Sequence, residues 1–194
     1  MSLDLCSVAF NARRCPGQMA VSWAGRSIAW DAFNNYVHST SRYLKEISVR
    51  PQETVFVVKE NSPAHVIVLL ALWRIGAVPC LIDPHMLKGC SDSLYASVKP
   101  ALVISPLAFK RSWGQKVRWA NIEQVVAYGY NDSFLGSEAS LDPMIDSDQV
   151  AFLRLKISES VVQTDLFTHA ALRKNPESLS ALFHSLTTAE TYII

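Results

Sequence analysis

The side chains in this sequence that can do chemistry are few, and their spacing suits little of it. Five histidines, His38, His65, His85, His169 and His184, are the candidates for acid–base work or metal binding. None forms an H-x-x-x-H pair with a carboxylate at metal-ligand spacing, so they read as surface or capping residues. Asp83 and His85 bracket Pro84 at the predicted C-terminal end of a parallel strand, the edge where α/β folds build their sites. An aspartate just before proline is explained first by turn chemistry. No G-x-S-x-G elbow supports a hydrolase, and no G-x-G-x-x-G follows a predicted strand to support a dinucleotide fold. Cys6, Cys15, Cys80 and Cys90 have no paired metal spacing and read as free, reduced thiols.

Whatever these residues do, a set of alternating elements must position them. Ala20 to Trp23 and Ser27 to Trp30 read as two short strands joined by a turn at Ala24-Gly25-Arg26. Asp31 opens a helix with Phe33, Val37, Leu44 and Ile47 at helical spacing, and Pro51 ends the pattern before the buried strand Thr54 to Val58. The run Asn61 to Pro84 then holds a cap at Ser62, a proline at the first helical position, a helix apolar all round from Val66 to Trp73, a stop at Gly76 and a buried strand over Val78 to Ile82. Met86 to Lys99 is expected to be helical and Ala101 to Ser105 a further strand. Ile122 to Tyr128 is expected to be one more strand, and Gly129 to Asp148 a loop. Gln149 to Leu155 returns as a strand, and Thr168 to Leu186 is a helix interrupted at Pro176.

The fold class is therefore α/β, a mostly parallel sheet flanked by helices, with a small N-terminal β-hairpin. Three segments are expected: an α/β subdomain over 1–128, a linker over 129–148, and a strand–loop–helix unit over 149–194. With 18 basic against 17 acidic residues, a net charge of +1, there is no electrostatic footprint for nucleic acid or an anionic membrane. The apolar run Val66 to Trp73 is far short of the roughly 20 residues a bilayer needs. No secretory signal pattern opens the chain, so a cytoplasmic setting is expected.

In order and wording, these elements resemble the N-terminal part of the adenylate-forming enzymes: acyl-CoA synthetases, aryl-CoA ligases, luciferases and peptide-synthetase adenylation domains. The residues that carry the resemblance are Ser27-Ile28-Ala29-Trp30-Asp31-Ala32-Phe33, Asn61-Ser62-Pro63-Ala64 and Gly76-Ala77-Val78-Pro79-Cys80-Leu81-Ile82-Asp83-Pro84. It is strong from Val8 to Ser105 and fades through Trp113 to Asp148. Leu72 to Val78 is most similar to the acid–CoA ligase branch, with the 2-succinylbenzoate–CoA ligases as the nearest wording.

The resemblance implies ATP- and Mg-dependent activation of a carboxylate and transfer of the acyl group to a thiol, usually CoA. It also implies a glycine-rich loop between a strand and a helix, whose backbone N–H groups wrap the triphosphate. The strand, Val150 to Arg154, and the helix start, Thr168-His169-Ala170-Ala171-Leu172, are recognisable. Between them stands Leu155-Lys156-Ile157-Ser158-Glu159-Ser160-Val161-Val162-Gln163-Thr164, with no glycine and no Pro-Lys. Ser158 and Ser160 stand where the resemblance would put the loop's hydroxyls, but beside Glu159, Val161 and Val162 they read as ordinary loop serines rather than phosphate ligands. All seven glycines lie at or before Gly136, so no shifted register restores it. His169 matches a position just past that loop, where it shapes the helix start.

Three expectations follow. The chain is a truncated or degenerate N-terminal portion of an adenylate-forming acid–CoA ligase, inactive alone, with no catalytic residue, no metal site and no cofactor of its own. Alternatively it is a non-catalytic binding or assembly module, a pseudoenzyme forming homo-oligomers or docking a partner protein through surfaces left open by truncation. Least favoured is one half of a split enzyme, because the missing glycines would have to come from the partner.

Overall fold

The computed structural model of the chain describes residues 5–59, 62–113, 117–130, 148–158, 161–174 and 192–193. Its centre is a six-stranded sheet in the order β6-β5-β3-β4-β7-β8, made of β3 (Thr54–Val58), β4 (Val78–Ile82), β5 (Leu102–Ser105), β6 (Trp119–Asn121), β7 (Val150–Ser158) and β8 (Val161–Thr168). Every neighbouring pair is parallel except β7 and β8. A second, antiparallel sheet joins β1 (Met19–Trp23) to β2 (Arg26–Ala29) on one side and to β9 (Tyr192–Ile193) on the other. The turn between β1 and β2 places Ala24 and Gly25 at φ 47° and 72°. Two consecutive positive φ values match the twist of a tight hairpin, and Gly25 takes the second at no steric cost.

The strands sort their side chains by a period of two. Val55 and Val57 of β3 join a core with Val8, Phe33, Val37, Leu44, Leu69, Leu70 and Val125, whereas Phe56 and Val58 pack with Cys80, Ile82, Leu87, Leu94, Val103 and Leu153. So α1 (Leu5–Arg14), α2 (Trp30–Glu46), α3 (Pro63–Arg74) and α5 (Ile122–Tyr130) cover one face, and α4 (Leu87–Val98) covers the other. Continuous apolar runs such as Thr-Val-Phe-Val-Val are what two covered faces demand. From Val66 to Trp73, α3 is buried at every position, the consequence of having no polar face. Gly76 ends it at φ +74°, with Pro51 Cβ 3.4 Å from where a side chain would begin.

Several expectations need correction. Ile122 to Tyr128 is helix, not strand: Asn121 Oδ1 accepts from the backbone N–H of Glu123 and Gln124 at 2.8 and 3.1 Å, an N-cap that starts α5. The strand in that region is the three-residue β6 just before it. Because α5 runs to Tyr130, the expected linker loses its first two residues, and 131–147 lie outside the described residues. Ser62 occupies the cap position of α3 with extended backbone, yet its buried hydroxyl makes no hydrogen bond, so Pro63 rather than a side-chain cap fits the helix start. α1 has no counterpart among the elements expected above. The helix expected over Thr168 to Leu186 is described only as α6 (His169–Lys174), and Pro176 lies outside the described residues.

Candidate functional site

The β7–β8 hairpin occupies the stretch where the resemblance places a phosphate-wrapping loop. β7 enters the sheet beside β4, pairing Cys80 with Leu153 and Leu81 with Arg154, and then continues past the end of that pairing to Ser158. β8 folds back on it in a register that pairs Arg154 with Asp165, Leu155 with Thr164, Lys156 with Gln163, Ile157 with Val162 and Ser158 with Val161. Residues 155–158 and 161–164, expected as a loop, are therefore strand, and only positions 159 and 160 join them. The residue types explain this. Ile157, Val161, Val162 and Thr164 are β-branched and favour extended backbone, and no glycine offers a route to positive φ.

Cross-strand pairs lock the hairpin. Phe152 and Phe167 stack with ring centroids 4.5 Å apart and an interplanar angle of 3°. Arg154 Nη2 lies 2.8 Å from Asp165 Oδ2, and the Arg154 guanidinium sits 5.0 Å from the Phe167 ring centroid. Leu153 and Leu155 are buried against the α4 side of the sheet. Ser158 is the last residue of β7, in register with Val161; Ser160 lies outside the described residues.

Behind the hairpin, Trp73 ties three elements. Its indole N–H donates to the Ala151 carbonyl at 2.6 Å, linking α3 to β7, and its ring meets His169 edge-on at 5.5 Å. The His169 backbone N–H donates to the Gln149 carbonyl at 3.1 Å, while Thr168 Oγ1 accepts from Ala171 N–H at 3.2 Å and starts α6. His169 thus packs at the helix start.

Three further described groups along this edge of the sheet, the Lys59 backbone, the Asp83 carboxylate and the Ser105 hydroxyl, make internal hydrogen bonds. Lys59 N–H donates to the Ile82 carbonyl at 2.8 Å, and Asp83 Oδ1 accepts from His85 N–H at 2.9 Å, the turn chemistry expected of an aspartate before proline. Ser105 Oγ accepts from Trp119 Nε1 at 2.7 Å and donates to the Pro106 carbonyl at 3.2 Å. His65 departs from the expected surface role, being fully buried in the first turn of α3. Burial, and secondarily the positive charge of Lys59, push its pKa down to about 3 against the opposing pull of a hydrogen bond with the Val58 backbone. The sequence did hold that signal: a polar residue in a helix with no polar face has nowhere to go but inside. Burial likewise pushes the Cys80 thiol up to about 12, which leaves it an inert core side chain. Cys15 and Cys80 are free thiols. His85 is exposed and His38 half-buried; His184 lies outside the described residues. Among the described residues no three His, Cys, Asp or Glu side chains gather as a metal site, and no helix is long and apolar enough to cross a membrane.

Comparison with known proteins places this arrangement. The AMP-binding enzyme family matches residues 8–176. Malpinin synthetase of Mortierella alpina is 20% identical over 104 residues, which is 54% of this chain and 1% of that protein. The crystal structure of VinN superposes with a TM-score of 0.79 at 18% identity, over 94% of this chain and 47% of VinN. The fatty acyl-adenylate ligase from L. pneumophila, solved with acyl adenylate and pyrophosphate, gives 0.71 at 14% identity, over 93% of this chain and 32% of the ligase. At these identities the superpositions show a shared fold, and the chain spans about half the length of VinN or less of the others.

Proposed function

Because the chain belongs to the AMP-binding enzyme family, we propose that it supplies the family's N-terminal scaffold and does not itself activate a carboxylate with ATP. The observation that carries this reading is the register of the β7–β8 hairpin. Wrapping a triphosphate takes a wide turn of backbone N–H groups at positive φ, with hydroxyls and a cation to meet the charge. Here paired residues run to Ser158 and resume at Val161, and the two connecting positions are Glu159 and Ser160. One of the two is an anion, which opposes a phosphate. Arg154 is held by Asp165. These residues do not fit a nucleotide, so no ATP-dependent step is derived for them.

The finer placement beside the acid–CoA ligases rests on the wording of Leu72 to Val78; none of the three similar proteins named above is called a CoA ligase. Free thiols at Cys15 and Cys80 suit a reducing compartment, so a cytoplasmic setting belongs to the proposal. The test is ATP–pyrophosphate exchange by the purified chain against a panel of aliphatic, aromatic and amino carboxylic acids, where no exchange above the protein-free blank is expected. Robust exchange with any of the acids would overturn the proposal. A role in assembly is favoured as a second reading by one observation, the exposed Leu166 on the edge strand β8.

A further inference from the structure

We infer that the outer edge of β8 is a self-association surface that pairs antiparallel with β8 of a second copy of this chain. The inference deepens the assembly reading and is independent of whether the chain turns over ATP.

β8 ends the six-stranded sheet, and among the described residues no strand lies on its outer side. Edge strands are ordinarily protected by being short, by a proline or charged side chains, lysine above all, or by a bulge. The opposite edge, β6, has three residues. β8 has eight, Val161–Thr168, with no proline, and its one charge, Asp165, is paired with Arg154 of its own hairpin. The register irregularity in its pairing with β7 falls near its far end, between Val150 and Phe152. Thr164 is exposed, and Leu166 is 66% exposed, the highest value among the exposed large hydrophobics of the described residues.

The sequence of β8 is also complementary to itself in one register. With the two-fold axis at Thr164, Val162 faces Leu166 of the second copy, Val161 faces Phe167, and Gln163 faces Asp165. Apolar residues thus meet apolar or β-branched ones, and the lone charge of the strand meets an amide that can donate to it. Asp165 is already balanced by Arg154 within its own hairpin, so no net charge repels the second copy. Moving the axis one residue to Asp165 would set two carboxylates directly opposite, which disfavours that register. The result is an isologous dimer in which two six-stranded sheets become continuous. A contact confined to paired strands sits at the small end of interface sizes, so the dimer is a weak, concentration-dependent one.

The test is native mass spectrometry and sedimentation velocity on the full chain, with Thr164→Lys and Thr164→Glu variants. Thr164 is exposed, so both variants should keep the far-UV circular dichroism and unfolding midpoint of the parent. The parent should show a concentration-dependent dimer. Each variant, which sets like charges across the axis, should lose that dimer or reduce it several-fold, and an equimolar mixture of the two should regain it as a heterodimer. A parent that stays monomeric throughout, or a dimer that persists unchanged in both variants, would overturn the inference.

Discussion

Acidification should unfold this protein earlier than its carboxylates alone would dictate, because of His65. The side chain is 0% exposed, sits in the first turn of α3 and has Lys59 as its charged neighbour, so the imidazolium is disfavoured by lost hydration, by like charge and by the positive end of the helix. Its pKa falls from 6.5 to about 3. The sign follows directly: between those values the unfolded chain binds a proton that the folded chain excludes. Stability is therefore complete above the unfolded value, falls as pH drops through it, and stops falling near the folded value. Each pKa unit corresponds to about 1.4 kcal/mol, so lowering the pH to about 5 removes about 2 kcal/mol through this one group. Urea unfolding at about pH 7 and about pH 5 measures the loss, and the control is His65→Gln, which cannot titrate. The variant starts from a lower stability but should show a pH-dependent loss smaller by about 2 kcal/mol. Equal losses in the two proteins would refute the reasoning and would mean that the folded state accommodates the imidazolium.

Three further outcomes are expected from equilibrium unfolding of single variants. Asn121→Ala removes the acceptor that starts α5 and should cost about 1 kcal/mol. Gly76→Ala forces a Cβ into positive φ against Pro51 and should cost about 1–2 kcal/mol; a neutral result would mean that the turn can rearrange. Leu70→Ala, at a fully buried position of α3, should cost about 2–5 kcal/mol, the range set by how far the core collapses around the gap.

What could be read from the sequence followed from local pattern. The Asn61 to Pro84 run specified its helix, stop and strand because an apolar helix, a positive-φ glycine and a buried strand each leave an unambiguous mark. Ile122 to Tyr128 was misread because Val125 and Val126 suggest a strand, although Ile122, Val125 and Val126 also fit helical spacing, Ile122 and Val125 are buried, and Asn121 is a cap. The stretch after Leu155 was read by what it lacks, glycines, which concealed the alternation that builds β7 and β8. β9 could not have been found: two residues pair with β1 across most of the chain's length, and nothing local encodes that contact. At the candidate site, the turn role of Asp83 and the helix-start position of His169 were legible, whereas the interior placement of His65 needed the neighbouring apolar residues to be weighed with it.

The position of β7 next to β4 sets an order of assembly. β4 and β5 both pair with β3 and lie closer to it in sequence than β7 lies to β4, so these loops close over shorter spans and the central parallel strands can form early. The β7–β8 hairpin closes over two residues and can form by itself, but its docking on Cys80 and Leu81 bridges a far longer stretch. Until that docking occurs, β4 is itself an open edge. Pulse-labelled amide exchange during refolding should protect Val55 to Val58 before Leu153 and Arg154; simultaneous protection would point to a single concerted step. A chain emerging from the ribosome would thus complete the middle of its sheet first and leave one edge of it waiting for residues not yet synthesised.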